Sequence, residues 1–244
     1  MTASKVIQVG LLGARGRMGQ WVDQLLHSEF ADRALLQAQV NSGDSVEPLL
    51  HCDVVIDFSS PNGMAALARA TLRHSKKTQK LPAFAVGSTG WTPEDLDPLE
   101  KLAKTTPVLV SPNFSTGVLL VAEILKHYAP ILRNQGYTPV LVDTHHRHKK
   151  DAPSGTALFL QRVTHPERPE SVQTLSVRAG EVVGDHEITF YGPADKITVG
   201  HFAQDRSIFA RGAIQVGLWL ETLRGTSKEY PGLMSIDQYF KSLI

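Results

Sequence analysis

The chain has 244 residues, 42% hydrophobic and 20% charged, which allows one large domain or two smaller ones and excludes disorder, collagen and coiled coil. Lys+Arg 25 against Asp+Glu 24 leaves a formal charge of +1, so no net basic field is available for a nucleic-acid backbone or a membrane surface, and a small-molecule ligand is expected. One cysteine, Cys52, leaves no intramolecular disulfide, and no run approaches the roughly 18 apolar residues of a membrane helix; a cytoplasmic protein is expected.

The first half alternates short apolar runs with helical patterns, the mark of βαβ units and a parallel sheet. VIQVGLL (6–12) is the first predicted strand. From Met18, Trp21, Val22, Leu25, Leu26 and Phe30 recur at helical spacing, giving a helix with one face on the sheet. Residues 34–40, 53–58, 81–86 and 106–111 repeat the strand pattern, so a five-strand parallel core is predicted. Thr92, Pro93 and Asp95 supply an N-cap, a preset first helical position and a capping acid.

A long apolar helix is predicted over about 117–133, and then the pattern changes. VQTLSVRAG, HEITFYG and KITVGHFA are short alternating runs joined by Gly, Pro and Asp, which predicts a mainly antiparallel sheet in a second α+β domain. A helical period returns over 205–223, and Gly225 is placed to end it. The expected division is 1–114 with 215–244, a Rossmann-like unit, and 115–214, the second unit.

After the first strand comes GARGRMG, with Gly13, Gly16 and Gly19 at three-residue spacing and a helix starting inside it. Such glycines let the backbone turn tightly and approach a pyrophosphate, while the helix N-terminus offers free N–H groups. The spacing is not the usual G-x-G-x-x-G, and a strand-to-helix turn that binds nothing remains the alternative. Arg15 and Arg17 beside the turn favour a phosphate. Gln39 to Ser42 occupy the place where an acid would clamp an adenosine ribose, which leaves Arg17 free for a 2′-phosphate; NADPH is preferred over NADH, with either admitted. DFSSPNG (57–63), GSTGW (87–91) and SPNFSTG (111–117) follow strands on the same sheet edge and could line a nicotinamide-ribose site or be ordinary turns.

The densest chemistry is DTHHRHKKDAPSGTA (143–157). Zinc is disfavoured, because adjacent histidines on an extended segment point to opposite sides and no acid or cysteine is spaced to complete four ligands; no metal is expected. Asp151, Pro153 and Ser154 open a helix whose first N–H groups, at Gly155 and Thr156, form an anion site, with Lys149 and the histidines around it. A carboxylate-bearing substrate suits that place, and a neighbouring histidine is a natural proton donor.

GARGRMG, VIDFSSPNG, VGSTGW, SPNFSTGV, HHRHKKDAPSGTAL and VRAGEVVGDHEITF, in this order from residue 8 to about 220, resemble the blocks of the 4-hydroxy-tetrahydrodipicolinate reductase (dihydrodipicolinate reductase) family. The resemblance implies NAD(P)H-dependent reduction of a cyclic dicarboxylate in diaminopimelate and lysine biosynthesis, in a homotetramer built through the second domain's sheet. It puts the proton donors on His145 and Lys149, and the substrate carboxylates on His146, Gly155 and Thr156. It puts cofactor contacts on Gly13, Ala14, Arg15, Gly16, Arg17 and Met18, on Gly87, Ser88 and Thr89, and on Ser111, Pro112, Asn113 and Phe114. Two departures are mild: Asp143 stands where the family usually has Glu, and GSTG replaces GTTG. Another nicotinamide-dependent reductase of a small carboxylate, or a non-catalytic NADPH sensor, would keep the glycine loop but would not need both the HHRHK and PSGTA blocks.

Overall fold

The computed structural model describes residues 5–76, 80–226 and 230–243. The chain divides into two compact units, Met1–Phe114 with Phe209–Ile244, and Ser115–Ile208.

The first unit holds a parallel five-strand sheet of β1 (Ile7–Leu12), β2 (Ala34–Val40), β3 (Val54–Asp57), β4 (Ala83–Val86) and β5 (Val108–Val110), in the order β2-β1-β3-β4-β5. The strands are apolar on both sides because both faces are covered. Val9, Leu11, Val54, Ile56 and Leu109 pack with Val22 and Leu25 of α1 (Arg17–Leu26) and with Ala213, Ile214 and Leu220 of α6 (Ser207–Leu223). Leu12, Val55, Phe84 and Val108 pack on the other face with Met64 and Leu67 of α2 (Pro61–His74) and with Leu99 and Leu102 of α3 (Pro93–Leu102). Each fully buried side chain of this size stabilises the fold by about 1.5–3 kcal/mol.

Local chemistry sets the helix ends. Ser60 caps α2 by accepting from the Gly63 N–H, and Thr92 caps α3 by accepting from the Asp95 N–H, as its sequence predicts. The helix begun at residue 17 ends at Leu26, so Phe30 lies in the following turn, fully buried, with its N–H on the Leu25 carbonyl. Gly225, at φ +79, follows α6. The segment after it lies along β5, where Met234 donates to Val108 O and accepts from Val110 N–H. The chain re-enters this unit at Phe209, earlier than the expected 215, because α6 is one unbroken helix with no mark at that point.

The second unit holds a four-strand sheet in the order β7-β6-β8-β9, with β6 (Thr138–His145), β7 (Gln173–Arg178), β8 (Gly184–Tyr191) and β9 (Lys196–Ala203). Strand β6 was not predicted at all, and it is central. VQTLSVR does not run antiparallel: β7 pairs parallel to β6, because α5 (Gly155–Thr164) lies between them in the chain and returns it to the same end of the sheet. The other two pairings, β6 with β8 and β8 with β9, are antiparallel. One face is covered by α4 (Thr116–Asn134) and α5, through Val118, Leu125, Leu160, Leu141, Ile188 and Phe190.

Candidate functional sites

In the first unit the carboxyl ends of β1 and β3 are adjacent, and they mark the point where the strand order reverses. Their loops touch. Gly13 adopts φ +87, and a β-carbon there would stand 2.8 Å from the Phe58 backbone, so glycine is required by conformation and by space. A β-carbon on Gly19 would strike the Gly13 carbonyl oxygen at 2.3 Å, so the third glycine lets α1 press against its own loop. Gly16 is different. It is the exposed N-cap of α1, gives no side-chain cap, and a β-carbon there would press on the Gly13 carbonyl oxygen at 3.2 Å, less severely than at Gly13 or Gly19. The first N–H groups of α1 therefore lack a side-chain cap, with Arg15 and Arg17 exposed on either side.

A cleft at this edge is lined by Arg17 and Met18, by Phe58 to Pro61, and by Gly87 to Thr89. The structure thus brings two of the three predicted cofactor segments together. Ala14 is buried behind the loop, and Asn41 accepts from the Arg15 N–H, which fastens this loop to the end of β2. Ser111 to Phe114 do not line the cleft. The side chains of Ser111, Asn113 and Phe114 are buried, and the Ser111 hydroxyl donates to the Asn113 carbonyl.

Asp57, which the sequence reading missed, joins two of these loops. It is fully buried at the end of β3, where one oxygen accepts from the Ser59 N–H and hydroxyl and the other from the Ser88 hydroxyl. Burial pushes its carboxyl above the usual range against the pull of those serine donors. Ser88 therefore faces inward, and only its backbone and Thr89 are open to a ligand. The sequence signal was an acid ending the apolar run VVID.

In the second unit, period-two alternation along β6 puts Asp143 and His145 on the helix-covered face and turns His146 the other way, half-exposed. The Asp143 carboxylate, wholly buried, is the hub of the site. One oxygen lies 2.9 Å from His145 Nδ1 and 3.3 Å from His186 Nε2. The other accepts from the Ser154 N–H (3.0 Å), the Ser176 hydroxyl (3.2 Å) and the Arg178 guanidinium (3.1 Å). Burial would raise this carboxyl, but the contacts with His145, His186 and Ser154 outweigh it and hold it far below the carboxylate range. Asp143, His145 and His186 have metal-ligand types within 4.8 Å of one another, so an acid meets His145 and a histidine of β8 joins them, a group of three. The cation that faces this carboxylate is Arg178.

Ser154 is buried and caps α5 by accepting from the Ala157 N–H. Gly155 is exposed, with nothing within 4 Å of a β-carbon placed on it, which leaves room for a ligand against the first turn. Lys149 comes to the same loop but pairs with Asp151 at 2.9 Å. Arg178 also donates to the Asp151 carbonyl, fastening the loop to β7. His146 is held below its ordinary range by burial and then by Arg206, with His145 and His148 adding to it. His186 and Arg178 were missed as site residues, although they stand in the blocks HEITF and VRAG.

A parallel sheet with a glycine turn at its switch point and a second unit presenting histidine and a helix N-terminus define a nicotinamide-nucleotide-dependent oxidoreductase of two domains. Residues 7–114 match the family described as Dihydrodipicolinate reductase, N-terminus, and residues 117–239 match Dihydrodipicolinate reductase, C-terminus. The chain belongs to the dihydrodipicolinate reductase family. It is 31% identical to the 4-hydroxy-tetrahydrodipicolinate reductase of Campylobacter jejuni subsp. doylei over 98% of both chains. It is 34% identical to that of Rickettsia bellii over 98% of this chain and 96% of the relative. Among solved structures, the dipicolinate-bound dihydrodipicolinate reductase from Paenisporosarcina sp. TG-14 superposes with TM-score 0.74 at 21% identity, over 95% of this chain and 98% of that one. A probable dehydrogenase from Thermotoga maritima shares the fold at TM-score 0.60 and 11% identity, over 97% of this chain and 93% of that one.

Proposed function

We propose that the chain reduces 4-hydroxy-tetrahydrodipicolinate to tetrahydrodipicolinate with a reduced nicotinamide dinucleotide, in the cytoplasm, on the route to diaminopimelate and lysine. The observation that carries this reading is the second unit's site: a buried carboxylate holding one imidazole beside an open helix N-terminus. When bound, the dinucleotide supplies a hydride. The α1 N-terminus at Gly16 to Met18 takes its pyrophosphate, with Gly13 and Ala14 shaping the loop and the backbone of Gly87 to Thr89 flanking the nicotinamide side. Ser111 to Phe114 follow β5 at the same sheet edge, where the Ser111 N–H donates to the Val86 carbonyl at the end of β4. Arg15 and Arg17 beside a β2 end that carries Asn41 favour a 2′-phosphate, hence NADPH over NADH.

The dicarboxylate is held by the N–H groups of Gly155 and Thr156, by Lys149 and by His146. His145 presents Nε2 as the proton donor, and Lys149 assists by offsetting negative charge. Overall, the ring loses its hydroxyl together with a ring hydrogen as water and gains one hydride and one proton, while the dinucleotide is oxidised. We further infer a homotetramer. It assembles through the outer face of the second unit's sheet, where Leu175, Val177, Tyr191 and Phe202 are exposed. Sedimentation of the purified chain at four times its monomer mass supports this, and a monomer refutes it.

The functional test is oxidation of NADPH and NADH followed at 340 nm with freshly condensed pyruvate and aspartate semialdehyde. Turnover that requires the condensed product, faster with NADPH, is expected. No oxidation above the rate without protein would remove this function.

A further inference from the structure

We propose that Asp143 is a positioning residue for the reaction: its carboxylate holds the Nδ1 side of His145, leaves Nε2 as the nitrogen that gives up a proton when the ring is an imidazolium, and ties that imidazole to the first turn of α5. The inference rests on the assignment of His145 as proton donor. Three observations carry it. First, the carboxylate is wholly buried, and its two oxygens divide the work between the imidazoles on one side and Ser154, Ser176 and Arg178 on the other. Proton donor and anion-binding helix turn are thereby held by one group, which fixes their mutual position. Second, with Nδ1 turned to Asp143, only Nε2 is left for a substrate, and Gly184 gives that edge of the ring its room: a β-carbon there would stand 3.0 Å from Nε2. Third, the approach of Nδ1 to Oδ1 is an ion-pair contact more than an in-line hydrogen bond, and His186 Nε2, hydrogen-bonded with the Ser154 hydroxyl at 3.1 Å, lies 3.3 Å from the same oxygen. The two imidazoles therefore share one anion, and His186 moderates its hold on His145.

Around the pair, Arg178 comes from β7, His186 and Asp185 from β8 and His201 from β9, Arg206 precedes α6, and the loops contribute His146, His148, Glu181 and the Lys149–Asp151 pair. Asp143→Asn removes the anion next to His145 and leaves the Arg178 guanidinium uncompensated; both changes disfavour an imidazolium there. The alkaline limb of kcat/KM should move to lower pH by about one unit, with KM nearly unchanged. Asp143→Glu should restore most of the rate. In a His145→Gln background, Asp143→Asn should cost less than about twofold more, because a residue acting through another adds nothing once that one is gone. His186→Asn should move the same limb to higher pH by up to about half a unit, since Oδ1 then serves His145 alone.

NADPH titration of each variant, read by fluorescence, reports whether the first unit is intact. If Asp143→Asn lowers the rate equally at every pH, or multiplies the loss of His145→Gln, Asp143 is merely structural and the inference fails. If Asp143→Asn does not fold, His186→Asn decides: an upward shift supports the inference and an unmoved limb overturns it. An unchanged kcat in His145→Gln alone would instead overturn the proton-donor assignment on which it rests.

Discussion

In the proposed reading both sites meet their anion at a helix N-terminus, but they are built in opposite ways. In the first unit the first N–H groups of α1 stand at a glycine turn without a side-chain cap, and the cleft side chains are mostly small; the charged one, Arg17, is exposed, as is Arg15 beside the turn. In the second unit a buried carboxylate, two imidazoles and a guanidinium are packed between β6, β7, β8 and the start of α5. A backbone site is built by conformation and tolerates change at any side chain that does not obstruct it. A side-chain site is a network, so removing one member leaves the others buried and unpaired.

Substitutions can break or sharpen this contrast. The largest effect is expected from His145→Gln, which should lower kcat by about 10²–10⁴ with little change in KM, since a proton donor acts in the transition state. Steady-state kinetics at saturating NADPH checks it. Gly16→Val should weaken dinucleotide binding by about 10²-fold while leaving circular dichroism close to the parent's and the thermal midpoint only slightly lower, because its β-carbon presses on the Gly13 carbonyl oxygen at 3.2 Å while the rest of the side chain obstructs the pyrophosphate. Normal NADPH affinity in that variant would mean that the glycine turn binds nothing. Lys149→Ala should weaken a planar dicarboxylate by about 1.5–3 kcal/mol in calorimetry, the value of a hydrogen bond to a charged group, and should hardly move NADPH.

The smallest effect tests a buried carboxylate outside both sites. Burial alone would raise the Asp53 carboxyl, but the Gln8 N–H, Lys5 and Arg224 bring it down to about 2. A group depressed in the folded state stabilises above its unfolded value and loses that contribution as pH falls through the folded one. Asp53→Asn should therefore cost about 1–2 kcal/mol at pH 7 in urea unfolding, less than the full shift because the Lys5 ammonium is largely solvated. Between about pH 4 and pH 2 the gap between variant and parent should close.

Sequence and structure agree best where the signal is local. Strands β2 and β9 coincide with the runs ALLQAQV and KITVGHFA, and the Thr92 cap and the turn at Gly225 follow from neighbouring residues alone. The glycine turn was legible for the same reason, since its chemistry lies within seven residues. Strand β6 was not, because Pro139 argues against a central strand; it stands just before the parallel pairing with β7 begins at Val140, so its missing N–H disturbs no bond there. The histidine block was recognised, but its partners were not. Asp143 meets His186 and Arg178 only through the pairing of β6 with β8 and β7, and alternation says which face a residue takes without saying which strand lies beside it. Asp57 was missed likewise, as its bond to Ser88 spans 31 positions and depends on β3 lying against β4.

The most direct test of two separate anion sites is a competition titration with pyridine-2,6-dicarboxylate on the unmodified chain. The dicarboxylate should raise the KM for substrate in proportion to its concentration, leave the NADPH dissociation constant unchanged, and keep its affinity in Gly16→Val while losing it in Lys149→Ala. Competition with NADPH, or equal binding to Lys149→Ala and the parent, would contradict the placement of the substrate at the N-terminus of α5.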